Sequence, residues 1–201
     1  MSLIERLHGG YVVDRRVEVL CRHLTPLVPQ QARVLDVGCG DGSLSSVLLR
    51  RRPDIVLQGI DVLVRDGTRI PVQPFDGRIL PFGDASFDAV VLVDTLHHSA
   101  DPRALLAEAR RVARQVILIK DHLREGLLAR PTLRFMDRVG NARHGVALPY
   151  AYWPKQRWLD TFESLGLRVD VWNTKLGLYP WPANWLFERS LHFVARLAVT
   201  R

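Results

Sequence analysis

The chain has 201 residues, 47% of them hydrophobic, which suffices for one packed three-layer α/β core. No apolar run approaches the roughly 18 residues of a spanning helix, the start MSLIERLHGG lacks a signal-peptide core, and the two cysteines, Cys21 and Cys39, offer no disulfide framework; a cytoplasmic protein is expected. The net charge of +7 is almost all arginine, Lys120, Lys155 and Lys175 being the lysines, and Arg50, Arg51, Arg52, Arg110, Arg111 and Arg114 fall at the C-terminal ends of predicted helices, so the charge reads as compositional and structural, and a nucleic-acid partner is not expected.

Tyr11 to Leu24 carries apolar residues at Val13, Val17, Leu20 and Leu24, a helical spacing that predicts a cap packed on a sheet edge, with Tyr11 placed to reach over a ligand. Thr25 to Pro29 ends it. The run VLDVGCGDG, Val34 to Gly42, then describes a buried strand that stops in a glycine turn, and SLSSVLLR, Ser43 to Arg50, continues as a helix. Such a turn offers free backbone N–H groups at a helix start, which suits a nucleoside-type cofactor. Asp36 separates two readings: an acid beside the turn repels a pyrophosphate and accepts a hydrogen bond from an ammonium group.

With its hydrophobic-Asp-hydrophobic-Gly-x-Gly-x-Gly form, this segment resembles the first motif of the class I S-adenosylmethionine-dependent methyltransferases, in the branch of the ubiquinone, menaquinone and small-metabolite (type 11) enzymes. The resemblance implies a Rossmann-like α/β fold with a seven-stranded, mostly parallel sheet, an antiparallel C-terminal hairpin and helices on both faces. It makes Asp36, Gly38, Cys39 and Gly40 cofactor-binding candidates.

Ile55 to Ile60 reads as the second strand, and Asp61 closes it where a carboxylate can take both ribose hydroxyls; Val62 follows in the same wall. That feature fits NAD as well as S-adenosylmethionine. Gly67, Pro71 and Pro74 crowd the short interval from Asp61 to Asp76, so the helix usual there must be very short or absent. Phe75 to Ala89 resembles the methyltransferase pattern Asp-x-x-x-Leu-Pro-Phe-x-Asp-x-x-Phe-Asp, which implies that Asp76, with Gly77, lies beside the adenine amino group. Val90 to Val93 is the fourth strand and Asp94 ends it at the cofactor. Leu96, His97 and His98 look like the family's Leu-His-His stretch in the methyl-transfer cleft. Asp101 as N-cap and Pro102 open a helix through Arg103 to Arg114, and Val116 to Ile119 supplies the fifth strand after a tight link.

Beyond Asp121 the family motifs run out. A helix is predicted over Arg124 to Arg138, and Val139 to Trp153 is rich in glycine and aromatics. Residues inserted there lie above the C-terminal strand ends, so 122–153 is the candidate substrate lid, with Asn141, His144, Tyr150, Tyr152 and Trp153 as acceptor contacts. Pro154 to Gly166 is predicted as a helix, and Leu167 to Trp172 and Leu191 to Val199 as the hairpin strands. The long connection between them holds Tyr179, Trp181, Trp185 and Phe187, an aromatic loop suited to closing the acceptor site or to a peripheral membrane contact. One domain is expected throughout 1–201: cap 1–32, cofactor core 33–121, lid 122–153, C-terminal helix and hairpin 154–201.

The resulting expectation is an enzyme that moves a methyl group from S-adenosylmethionine to a small-molecule or lipid-like acceptor. His97, His98 and His122 are the candidate bases, with Asp94 or Asp121 orienting one of them; His122, His98 and Asp121 are the catalytic set. No zinc spacing is present and no metal is expected; Asp94, Asp121 and His122 are the ligands a divalent ion would have to use. A dinucleotide-dependent oxidoreductase and a non-catalytic S-adenosylmethionine-binding regulatory module stand as rival readings.

Overall fold

The computed structural model describes residues 3–141 and 150–200, with side chains from residue 14 onward and none at 140 and 141. His144 therefore lies outside the described residues, as do the side chains of Tyr11 and Asn141.

Seven strands form one sheet in the order β3-β2-β1-β4-β5-β7-β6. The inner strand β1 (Arg33–Val37) pairs in parallel with β2 (Val56–Asp61) on one side and β4 (Phe87–Val93) on the other. β3 (Val72–Pro74) is a three-residue edge strand, a place where its proline is tolerated because no further strand needs its N–H. β5 (Ala113–His122) pairs in parallel with β4, and β7 (His192–Val199) runs antiparallel between β5 and β6 (Leu167–Asn173). The expected seven-stranded sheet with its antiparallel C-terminal hairpin is what the chain forms.

Strands buried on both faces read as continuous apolar runs, and their alternate side chains feed two cores. On one face Leu35, Val90, Ile117 and Phe193 pack under α3 (Pro102–Val112) and α5 (Lys155–Ser164) through Leu106, Trp158 and Phe162. On the other, Val34, Val91, Leu118 and Val194 meet α1 (Leu3–Leu24) and α2 (Ser43–Arg51) through Leu20, Leu24 and Leu48. The chain leaves β1 toward β2 and β3 and returns across it to β4, so β1 and β4 flank the topological switch point, where open α/β sheets leave a crevice beyond the strand tips.

No helix separates β2 from β3, as expected from the short proline-bearing interval. Several boundaries differ from the predicted ones: α3 ends at Val112 and runs directly into β5. α4 (Ala129–Asn141) starts five residues after Arg124, because Gly126 and Leu128 both take positive φ, at 82° and 61°. The cap helix begins as early as Leu3. Arg114 belongs to β5 and not to a helix end, where it pairs with Asp88. A one-turn helix, α6 (Asn184–Phe187), lies in the long connection to β7.

Candidate functional site

A cavity of about 540 Å³ opens over the C-terminal tips of β1, β2, β4 and β5. Its two ends differ in chemistry.

At one end the backbone makes the wall. Gly38 takes φ +74° and donates from N to Ile60 O at 2.8 Å, which bends the chain out of β1. A Cβ there would stand 2.6 Å from the Thr95 side chain, so only glycine lets the turn lie this close to the tip of β4. Gly40, at φ +60°, faces the cavity with the Arg65 guanidinium 3.7 Å from where a Cβ would sit. Asp61 is clamped by backbone, its Oδ2 accepting from Gly40 N at 2.8 Å and its Oδ1 from Leu63 N at 2.9 Å. Each oxygen keeps a lone pair for a ligand hydroxyl. Asp76 Oδ1 accepts from Ile79 N at 2.9 Å and Arg78 N at 2.8 Å, and these two bonds hold the carboxyl below its usual range and therefore charged. Val62 and Gly77 line the same end.

Asp36 and Cys39 do not face this space. Asp36 is 3% exposed and accepts from Ser45 Oγ beneath the turn; burial, aided by the Asp61 charge and opposed by the Ser45 bond, pushes it up to about 6. Cys39 Sγ packs against Gly59, and burial raises its thiol.

The other end is an interlocked set of charges and imidazoles. Asp94, at the tip of β4 with φ +54°, is ion-paired to Arg16 of α1 and to the fully buried Lys120 of β5. Burial disfavours its charge, but the two cations outweigh that and hold it well below the ordinary carboxylate range. His97 sits in a 3-10 turn (Leu96–His98), and its Nδ1 donates to Asp121 Oδ1 at 2.7 Å. Its Nε2 lies 3.5 Å from Asp137 Oδ2, on α4. Desolvation works against an imidazolium there, yet Asp121 and Asp137 overcome it and push His97 up to about 10. His122, at the end of β5, points Nε2 at Asp137 Oδ1, 3.3 Å away, and at Asp94 Oδ1, 3.8 Å away. Burial, with His97 and Lys120 adding like charge, drives His122 down to about 4. Tyr152 Oη donates to Asp137. His98 lines the cavity, lowered by burial and by His97, and its Nδ1 meets no partner among the described residues.

Of the sequence candidates, His98, His122, Asp61, Val62, Asp76, Gly77, Asp94, Gly38 and Gly40 line one cavity. Asp121 is fully buried behind it, fixing His97 and accepting from His122 N at 2.7 Å. Trp153 is 5% exposed and packs at a tilt against Trp158, with Arg157 over its ring, so it belongs to the core. Tyr150 sits half-buried under Arg134. Sequence reasoning missed Asp137, Lys120, Arg16 and His192. Two of these left a signal: Asp137 breaks the apolar stripe of Ala129, Leu133 and Met136 on α4, and Lys120 interrupts the buried run VILI.

A family model described as MetW, methionine biosynthesis protein MetW, matches residues 20–153. The 27-O-demethylrifamycin SV methyltransferase of Amycolatopsis mediterranei is 29% identical over 131 residues, 55% of this chain and 48% of that protein. The O-methyltransferase cnsE of Penicillium expansum is 34% identical over 145 residues, 58% of this chain and 52% of that one. The chain thus spans about half the length of these curated relatives. Among solved structures, a SAM-dependent methyltransferase from Aquifex aeolicus superimposes with a TM-score of 0.61 at 18% identity, covering 89% of this chain and 88% of that one. Magnesium protoporphyrin IX methyltransferase from Synechocystis, solved with bound SAH, gives 0.63 at 15% identity over 100% and 89%.

Proposed function

The chain belongs to the MetW family and has the fold of the S-adenosylmethionine-dependent methyltransferases, and from that premise we propose that it is an enzyme that transfers a methyl group from S-adenosylmethionine to a small-molecule or lipid-like acceptor. The observation that carries the reading is the two-ended cavity, with backbone-clamped carboxylates at one end and a proton-handling cluster at the other. The first end fits the cofactor. Asp61 has lone pairs to spare for the ribose hydroxyls, Asp76 stays charged for the adenine edge, and the glycine wall leaves room for a nucleoside. Arg16 and Asp94, which line the cavity as a pair, would offer one charge of each sign to the methionyl moiety. Asp36 braces the turn from beneath through Ser45. When bound, the cofactor would supply an electrophilic sulfonium methyl group.

The protein's part is to orient the acceptor and hold its proton. His98 is suited to the second task because its ring lines the cavity and burial holds it neutral, with a buried Nδ1 that meets no partner among the described residues. Asp121 and His122 shape the chamber around it, Asp121 by anchoring His97. A lipid-like acceptor is supported by the exposed apolar side chains of Leu127, Leu128 and Phe135 and of Trp181 and Trp185, with arginines interspersed on α4.

Calorimetric titration tests the cofactor assignment. Asp61→Ala is expected to weaken S-adenosylmethionine at least tenfold while leaving the fold intact by circular dichroism, and NADH is expected to give no thermal shift in the wild-type chain. Undiminished affinity in Asp61→Ala would falsify the ribose assignment. Transfer of labelled methyl from S-adenosylmethionine into the small-molecule or lipid fraction of a cell extract, absent in His98→Ala, tests the reaction.

A further inference from the structure

α4 sends different side chains in three directions. Its inner face packs Ala129 and Leu133 on Tyr152 and Leu191, and Met136 and Asp137 line the cavity. Phe135 and Val139, one turn apart, are exposed, and Leu127 and Leu128 expose two more apolar side chains just before the helix begins. Arg130, Arg134 and Arg138 recur every fourth residue, so they form an exposed stripe beside that apolar ridge. The connection before β7 continues the surface. Phe135 stacks on Phe187 of α6 with ring centroids 6.3 Å apart, and Arg189 donates to Thr132 Oγ1 at 3.0 Å, so α4 and α6 lie side by side. α6 adds the exposed Trp185 and Leu186, and Trp181 is exposed in the turn that leads into it. The acids nearest in sequence are already committed. Asp137 turns inward to His97, His122 and Tyr152, Glu188 accepts from Leu178 N at 3.0 Å, and Glu125 accepts from Lys155 N at 2.8 Å. Arg130, Arg134, Arg138 and Arg189 enter no ion pair among the described residues.

We propose that this joint face of α4 and α6 docks on an anionic lipid surface, with Trp181, Trp185 and the α4 ridge at the boundary between headgroups and acyl chains and the arginines on the headgroup phosphates. Exposed large apolar side chains gathered in one place mark an interaction surface. Charge selects what covers it: a second copy would set the same arginines against one another, whereas lipid phosphates complement them. Tryptophan and arginine each join an apolar body to a polar tip and settle at this depth, and a helix with an apolar ridge beside a basic stripe lies in the plane of the interface. The surface also shares its walls with the cavity. Met136 and Asp137 lie on the other side of α4, and Tyr179, whose ring is 5.6 Å from Phe187, lines the cavity from the connection. Docking therefore brings the imidazole end of the cavity close to the bilayer. That a lipid-like acceptor enters from there rests on the methyltransferase reading; the docking does not.

The test mixes the full chain with vesicles of phosphatidylcholine alone, or of equimolar phosphatidylcholine and phosphatidylglycerol, and reads tryptophan emission and its quenching by brominated acyl chains. Blue-shifted, quenched emission is expected with the anionic vesicles only, weakening as salt rises. Trp181→Ala with Trp185→Ala should remove the signal, since Trp153 and Trp158 are buried. Arg130→Glu with Arg138→Glu should weaken binding at least tenfold. Arg168→Glu, exposed at the opposite end of the sheet, should leave it unchanged. Binding to neither vesicle, equal binding to both, or an Arg168→Glu effect as large as that of the α4 pair overturns the docking surface. So does a dimer in vesicle-free sedimentation that the tryptophan variants dissolve. Calorimetric titration of the same variants with S-adenosylmethionine reads the methyltransferase proposal separately, so either can fail alone.

Discussion

At Asp36 burial and the hydrogen bond from Ser45 pull in opposite directions. Its folded pKa of about 6 lies above the ordinary 3.8, so the fold favours the protonated acid. The associated stability is present in full below pH 4 and is lost as pH rises through 6. Asp36→Asn is therefore expected to raise the melting temperature at pH 7.5, by up to about 3 kcal/mol of stability, with the gain vanishing below pH 4; thermal melts of both proteins across that range check it. Gly38 answers to sterics instead. Gly38→Ala places a Cβ 2.6 Å from Thr95, whose Oγ1 is itself held by the Val37 carbonyl at 2.9 Å. A loss of about 2 kcal/mol or more in urea unfolding is expected.

Elements were legible in the sequence to the extent that one physical signal defined them. β1, β4 and β5 show as apolar runs because both their faces are buried, and α3 shows through its cap, with Asp101 Oδ1 accepting from Ala104 N at 3.0 Å. Asp101→Ala is expected to cost about 1 kcal/mol, read as a lowered unfolding midpoint. β3 escaped notice because Pro71 and Pro74 mask a strand that survives only at an edge. β5 extends to both sides of the predicted Val116 to Ile119 because neighbours on two sides satisfy its polar ends, Lys120 through Asp94 and Asp121 through His97. The glycine and carboxylate end of the cavity was readable because its residues follow one another along consecutive strand tips. The cluster end was not, since Asp137, Arg16 and His192 meet only through tertiary packing.

For the molecule as a whole, the C-terminal hairpin closes the sheet that carries the site. Phe193 is fully buried on β7, stacked on Trp172 at 4.3 Å and packed against Trp158 at 5.3 Å. Phe193→Ala is expected to cost about 3–5 kcal/mol in urea unfolding. The outer surface carries Trp181, 80% exposed, and Trp185, 83% exposed. If the acceptor is lipid-like, sedimentation with anionic vesicles should capture the chain, and Trp181→Ala with Trp185→Ala should release it; equal capture of both proteins would reject that acceptor class. Among the described residues no helix is long and apolar enough to cross a membrane.

The missing helix between β2 and β3 has a consequence for how the protein tolerates change. Residues 62–69 form a thin outer rim, with Val62, Leu63 and Val64 exposed and open space around Gly67. Pairs of substitutions along this rim should combine additively, whereas any two within the histidine cluster share partners and should show strong epistasis. Drift in sequence is thus cheap along this rim and tightly constrained at the other pole.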